Sequence, residues 1–353
     1  MTFCITSLIQ GYKYKWLKRM IKIYLTLIVL FSVICRAQEQ NIDTIQRQHI
    51  SNEYIEKYDD FVKLRLGLSN SFNSFHLKDD RNSLDFTLSP NQRLRTTLTF
   101  IYKFIEFDLG YTPDFMRFNK DDASKGNTKF FNFGTRLYLG HWVQNLQYSK
   151  TKGFYVDKDD IGSTENVLFP DFEVTKIGGN TSYVFNPNFS LRAIFLQSEW
   201  QKKSAGSFVP SISYYFTKIR DGEPGTDNII DVAIGPAYYY NWVLHKKLLI
   251  SGGAYGGIGY NSTKTIYDDN TLNEKIDGLS FESQLRFTVG YNSDSFYAGA
   301  VTSLNSFYYN ADPKTHVRDQ QQFFEIYIAY RFKGPDKVNK FLDNPLKSVK
   351  KAK

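Results

Sequence analysis

From Val62 onward, apolar and polar residues alternate along the chain with a period of two, the spacing of strands that are apolar on one face only. The first run is Val62-Lys-Leu64-Arg-Leu66-Gly-Leu68-Ser, which puts Lys63, Arg65, Gly67 and Ser69 on the opposite face. Leu84, Phe86 and Leu88, then Leu94, Leu98, Phe100 and Tyr102, continue in the same register, and the pattern restarts at Ile105 after Lys103-Phe104. Later runs include Phe189/Leu191/Ala193/Phe195, Ile230/Val232/Ile234, Phe281/Leu285/Phe287 and finally Phe324/Ile326/Ile328/Tyr330/Phe332.

The connections alternate between short and long. Short ones lie near 103–104, 140–141, 186–188, 244–247 and 292–294, and long polar ones near 76–83, 112–127, 156–171, 220–228, 261–278 and 309–319. Outer-membrane barrels have short turns on the periplasmic side and long loops outside; a soluble sandwich has no reason for this alternation. Tyr102, Phe104, Trp142, Phe185, Phe189, Tyr240, Trp242, Tyr291 and Phe296 stand beside the short turns, as an interfacial aromatic girdle does. The pattern therefore predicts an all-β, up-and-down antiparallel transmembrane β-barrel over residues 61–332. A direct count gives 13 runs, and an even number is required when both ends lie in the periplasm. Residues 189–219 sit between a short turn and a long loop, so they read as one crossing, with 199–209 able to fold into the lumen; this gives about 12 strands. Pro210 and Pro236 fall inside strands and mark bulges or irregular ladders.

The N-terminus changes the charge balance. Residues 1–22 carry Lys13, Lys15, Lys18, Arg19 and Lys22 and no acid, and an apolar stretch runs from Ile23 to Ile34, too short to span a bilayer. It ends at Cys35-Arg36-Ala37, so residues 1–37 read as a signal peptide cleaved before Gln38. Removing its six basic residues takes the formal charge from +8 to +2, and both cysteines go with it. That excludes a disulfide framework or thiolate site in the mature chain and removes the main argument for nucleic-acid binding. Residues 38–60 read as a polar periplasmic lead-in. The tail 333–353, with seven Lys against two Asp, reads as solvated chain or as a contact for an anionic envelope component.

Charges on a barrel strand belong in the lumen, because Arg or Lys on the lipid face costs about 2–4 kcal/mol at mid-membrane. The lumen-lining candidates opposite the apolar sets are Lys63, Arg65, Arg95, Glu106, Asp108, Arg136, Lys176, Arg192, Glu282, Arg286, Glu325 and Arg331. Two readings stand: a packed Arg–carboxylate network filling a narrow barrel, or a polar path with mild anion preference. Pairing about the 103–104 turn places Asp108 opposite Thr99 and Glu106 opposite Ile101, with Arg95 and Arg136 reaching toward Asp108. The segment holding Glu199, Trp200, Gln201, Lys202, Lys203, Ser204 and Gly206 interrupts the alternation, as functional or strained places do.

Motif chemistry is sparse. His49, His76, His141, His245 and His316 have no metal-ligand spacing, no Gly-x-Ser-x-Gly elbow is present, and His141 and His245 sit beside turns rather than at a lipase-like site. The loop acids Asp121-Asp122 and Asp157-Lys-Asp159-Asp160 fit solvated loop tips or divalent cations shared with lipopolysaccharide phosphates. No catalytic residue, metal site or cofactor is expected. The expected partners are outer-membrane lipid, lipopolysaccharide and the barrel assembly machinery, which reads an alternating aromatic end such as Tyr330 and Phe332.

Tyr54-Ile-Glu-Lys-Tyr58 leading into Lys63-Leu-Arg65, Leu88-Ser-Pro-Asn91, and Gln201-Lys-Lys-Ser-Ala-Gly-Ser207 resemble the domain-of-unknown-function 4421 family over about 54–332. The resemblance implies a barrel in the Gram-negative envelope and transfers no catalytic residues. The functional expectation is a narrow pore, a lipid-handling barrel or a structural surface protein; the alternative is an outer-membrane enzyme acting on lipid or lipopolysaccharide.

Overall fold

The computed structural model describes residues 53–58, 61–102, 105–113, 116, 121–195, 199–222, 225–267, 274–312 and 314–334. The leader expected over 1–37, most of the lead-in and the tail beyond 334 lie outside the described residues.

The chain forms β1 (Ile55–Lys57), β2 (Phe61–Asp79), β3 (Leu84–Ser89), β4 (Arg95–Tyr102), β5 (Ile105–Tyr111), β6 (Lys129–Leu139), β7 (Trp142–Val156) and β8 (Val167–Tyr183). It continues through β9 (Glu199–Gln201), β10 (Ala205–Phe208), β11 (Ser211–Arg220), β12 (Thr226–Gly235), β13 (Ala237–Leu244), β14 (Leu248–Ile266), β15 (Glu274–Asn292), β16 (Phe296–Asp312) and β17 (Thr315–Lys333). Short helices α1 (Asp122–Lys125), α2 (Lys158–Ile161) and α3 (Leu191–Phe195) complete it.

Ten strands close a ring of antiparallel ladders, in the order β2, β3, β7, β8, β11, β12, β14, β15, β16, β17 and back to β2. Further strands extend it: β4 pairs with the lower half of β2 and with β5, β6 pairs with β7, and β10 and β13 pair with each other below β11 and β12. Pro90, Pro210 and Pro236 stand between β3 and β4, β10 and β11, and β12 and β13. A proline donates no ladder hydrogen bond, so each marks a break. At two of them the backbone pairing carries on, the Pro210 and Pro236 carbonyls accepting from Tyr183 and Gly256 N–H; beyond Pro90, among the described residues, β5 pairs only with β4 and β6 only with β7.

The apolar face points outward. Leu64 and Leu66 on β2, Ile230, Val232 and Ile234 on β12, Phe281, Leu285 and Phe287 on β15 and the Phe324-to-Phe332 set on β17 are all between 41 and 59% exposed. This inverts a soluble barrel, and it matches the lipid-facing band of an outer-membrane one. Trp142, Phe185, Trp242, Tyr291 and Phe296 are exposed beside the short turns, whereas Tyr102 and Phe189, expected with them, are buried.

Three expectations are corrected. The segment Phe189 to Phe195 does not form a strand; Leu191–Phe195 is a helical turn with Leu191, Ala193 and Ile194 buried. It is enclosed on several sides, so its apolar residues carry no period-2 meaning. Leu88, expected on the outer face with Leu98, faces inward opposite Phe75, because the chain resets across 90–94 between β3 and β4. The long loops near 76–83 and 309–319 are mostly strand: β16 runs to Asp312 and β17 starts at Thr315. A 19-residue strand spans roughly 60 Å, well past the 9–11 residues that cross a bilayer, so the barrel projects beyond the apolar band on that side. Above the band the outward face of β17 is polar (His316, Arg318, Gln320) while Phe75, Tyr309 and Val317 are buried inside, so the apolar-outward alternation disappears from the sequence.

Candidate functional site

The barrel interior is filled in three levels. At the short-turn end Val143, Val184, Phe189, Leu191, Ile194, Val209, Tyr239 and Tyr255 form a buried apolar cluster. Residues 184–195 supply much of it, with Val184, Phe189, Leu191 and Ile194 buried in the cluster. They are fastened by polar contacts: the Thr288 hydroxyl donates to the Ile194 carbonyl (3.1 Å), and the Asn241 amide donates to the Ser190 carbonyl (3.0 Å).

The segment that breaks the alternation seals the mouth at this end. Glu199 is buried, accepts from the Ser190 hydroxyl at 2.5 Å, and lies 3.9 Å from Lys57 and 3.8 Å from Arg192. Gln201 accepts from Ser190 N–H and donates to the Asn188 carbonyl, both at 2.8 Å. β9 pairs with β1, so the lead-in contributes a strand to the seal. Trp200 donates to the Lys246 carbonyl (2.9 Å), Lys202 N–H donates to the Tyr54 carbonyl, Lys203 meets Glu53 at 2.8 Å, and the Ser204 hydroxyl accepts from Val243 N–H. Gly206 lies between Tyr238 and Tyr240. These residues act as a fastening of the mouth.

At the opposite end Phe75, Leu88, Phe154, Val174, Ile229, Tyr309 and Val317 form an apolar cap inside the barrel. Phe75, Phe154 and Phe172 pack in tilted and edge-to-face contact at centroid distances of 4.9–6.5 Å.

Between the two lies a polar level with a cavity of about 270 Å³, adjoining a second of about 510 Å³ across shared residues such as Arg65, Ser71, Asn132 and Glu325. Arg65 and Glu325 form a buried pair at 2.7 Å, with Arg65 also over the Tyr327 ring. Gly67 makes room for it, since a Cβ there would come within 2.4 Å of the Glu325 carboxylate. Lys176 pairs with Asp319 at 2.7 Å and sits 3.9 Å from the Phe307 centroid. Glu282 accepts from the Ser213 hydroxyl. Arg331 donates to Asn292 (2.8 Å), packs on Tyr58, and faces the buried Lys63 across the β2–β17 ladder. Arg136 and Arg286 converge on Phe195, at 4.3 and 4.1 Å from its centroid.

The register of β4 and β5 sets Asp108 opposite Thr99 and Glu106 opposite Ile101; the side chains of Glu106 and Asp108 lie outside the described residues. Arg95 folds across β5 at Gly110, where a Cβ would meet its guanidinium. Arg136 lies on Phe195 rather than reaching toward β5. Arg192, expected on a strand, belongs to α3 and packs on Tyr138. Asp319 and Asp231, which hydrogen-bonds Asn261 at 2.6 Å, are buried interior acids absent from the candidate set. Asp231 was recoverable from its odd position between Ile230 and Val232; Asp319 was hidden in a segment that reads as loop. Tyr330 and Phe332 point outward on β17, paired with Leu64 and Val62 of β2.

His141 holds the Val184 carbonyl at 2.6 Å and stacks on Tyr183. Among the described residues no three His, Cys, Asp or Glu side chains converge as a metal site. Asp157 caps α2 and Asp121 pairs with Lys125, so these loop acids stabilise their own turns.

The family model described as Domain of unknown function (DUF4421) matches residues 41–332. The chain belongs to that family. No curated protein matches the DUF4421 chain significantly. Among solved structures it is similar to the outer membrane protease OmpT from Escherichia coli, with 6% identity over 81% of this chain and 100% of that one and a TM-score of 0.39. The translocator domain of autotransporter NalP from Neisseria meningitidis shows 7% identity over 86% and 97% with a TM-score of 0.32. The P. putida toluene transporter TodX shows 8% identity over 78% and 91% with a TM-score of 0.23. Likenesses this distant say nothing about activity.

Proposed function

We propose that this DUF4421 chain is an integral outer-membrane barrel of twelve crossings that is closed at rest by its own chain, serving as a structural or solute-binding envelope protein rather than an open porin. In this reading β3 with β4, β10 with β11, and β12 with β13 are single crossings broken at their prolines, and β5 and β6 are crossings too. The outward apolar face supports a lipid setting, because burying it elsewhere would need a partner surface around the whole wall. Lipopolysaccharide then surrounds the upper wall, export runs through residues 1–37 with a mature start at Gln38, and the assembly machinery receives Tyr330 and Phe332.

The observation that carries closure is the inward-packed 184–195 segment, with Ala193 and Ile194 at 0 and 1% exposure. A barrel near 12 strands is narrow enough for one helical turn and a few aromatic rings to fill it. Planar-bilayer recording tests this. The unmodified protein gives no porin-scale conductance, and Leu191→Asp with Ile194→Asp, which puts charges into the apolar plug, opens measurable channels. Large steady currents from the unmodified protein contradict closure.

A further inference from the structure

Arg136 on β6 and Arg286 on β15 face the same 270 Å³ cavity from different parts of the wall. Their guanidinium carbons lie 4.3 and 4.1 Å from the centroid of the Phe195 ring, so they are separated by at most the sum of the two, 8.4 Å. Two like charges this close inside a water-poor wall repel, and a charge there is ordinarily paired. Among the described residues neither arginine has an acid within ion-pair distance. The two acids that line the cavity are engaged elsewhere: Glu325 with Arg65, and Glu282 with the Ser213 hydroxyl. Arg286 makes a single long hydrogen bond, to the Ser303 hydroxyl at 3.4 Å, and its Nε–H has no partner. The rest of the nearby lining is neutral and hydrogen-bonding, with Asn145, Gln147, Gln284 and Asn305 around the space.

We propose that Arg136 and Arg286 form an anion-binding site inside the barrel, taking a small ligand that carries a carboxylate or phosphate group. Each guanidinium offers the planar fork that binds such oxyanions through two parallel hydrogen bonds. A bound oxyanion between them cancels their repulsion, and the amide side chains suit the polar remainder of a small organic acid or of phosphate itself. The cavity volume limits the ligand to a few heavy atoms beyond the anionic group. The neighbouring cavity of about 510 Å³ adjoins this one across Arg65, Asn132, Gly134 and Glu325. Phe195 belongs to the plug helix, so the ligand also ties the plug to the wall. The site needs only the folded interior, and it stands whether or not the barrel proves closed to ions.

Isothermal titration of the full, detergent-folded chain with inorganic phosphate and, separately, with succinate tests the proposal. Saturable binding of at least one of them at one site per chain is expected, weakened at least tenfold in Arg136→Gln and in Arg286→Gln, with the heat-modifiable gel mobility of each variant verifying its fold. Which anion binds distinguishes a phosphate source from a carboxylate source. Crystals of the unmodified protein soaked in selenate give an independent reading that needs no variant, with an anomalous peak between the two guanidinium groups. Absence of saturable binding by both anions, undiminished binding in both folded variants, or a selenate-soaked crystal without that peak would overturn the assignment.

Discussion

Glu325 shows how the interior tolerates charge. Its carboxylate accepts from Arg65 at 2.7 Å, both groups are almost fully buried, and Gly67 leaves the space in which the pair sits. Removing one partner of a buried pair strands the other, at a cost of about 3–5 kcal/mol, whereas replacing both with apolar groups of similar volume is often neutral. Glu325→Ala is therefore expected to lower the guanidinium unfolding midpoint of the detergent-folded barrel sharply, and Arg65→Met with Glu325→Leu to recover most of it. Equal losses in single and double variants would count against a paired interior. Outside the membrane band, Asp277 on the projecting part of β15 is held at about 2 by hydrogen bonds, the largest from Lys275 and the next from Ser262. Its folded value lies below the ordinary 3.8. The stabilisation is therefore complete above the ordinary value, declines as pH falls through that window and is lost below about 2. Carboxyl NMR titration should place the Asp277 midpoint near the lower figure in the native protein, and near the ordinary one after Lys275→Ala and Ser262→Ala together.

At the scale of elements, the strands that cross the apolar band were legible because one face must be apolar and the other polar, and the period of two follows. Legibility failed where that contrast ends. The upper parts of β2, β16 and β17 no longer carry the apolar set outward and read as loops, although Phe75, Tyr309 and Val317 are buried inside, while Phe189 to Phe195 alternates like a strand though Leu191–Phe195 is a helical turn. The break at 90–94 turned Leu88 inward without leaving any trace in residue parity. For the interior, the identity of most charged residues was readable from the inward face, but their partners were not: Arg65 meets Glu325 across 260 positions, and Lys176 meets Asp319 across 143. The interruption at 199–206 was visible as an anomaly, and only the fold shows that it fastens the mouth through Ser190 and Asn241. β17 carries a prediction of its own. Phe332 and Tyr330 terminate its outward set where it pairs with β2 to close the ring. Phe332→Ala or Tyr330→Ala should reduce the heat-modifiable, membrane-inserted fraction more than truncation after Lys333, measured by gel shift of outer-membrane fractions. A larger loss from the truncation would move the assembly signal into the tail.

For the whole molecule, the outward apolar face is the surface proposed to meet lipid. Trp142 and Trp242 lie on that face beside the short turns, 53 and 47% exposed, whereas Trp200 is held at the mouth by the Lys246 carbonyl. This arrangement makes the chain its own depth probe. Variants of the mature chain retaining one tryptophan each, with the others changed to Phe, can be folded into vesicles of phosphatidylcholine brominated near the head of the acyl chain. Strong quenching of Trp142 and Trp242 emission and weak quenching of Trp200 are expected. Emission from Trp142 and Trp242 that is indifferent to brominated lipid would contradict a membrane-embedded barrel.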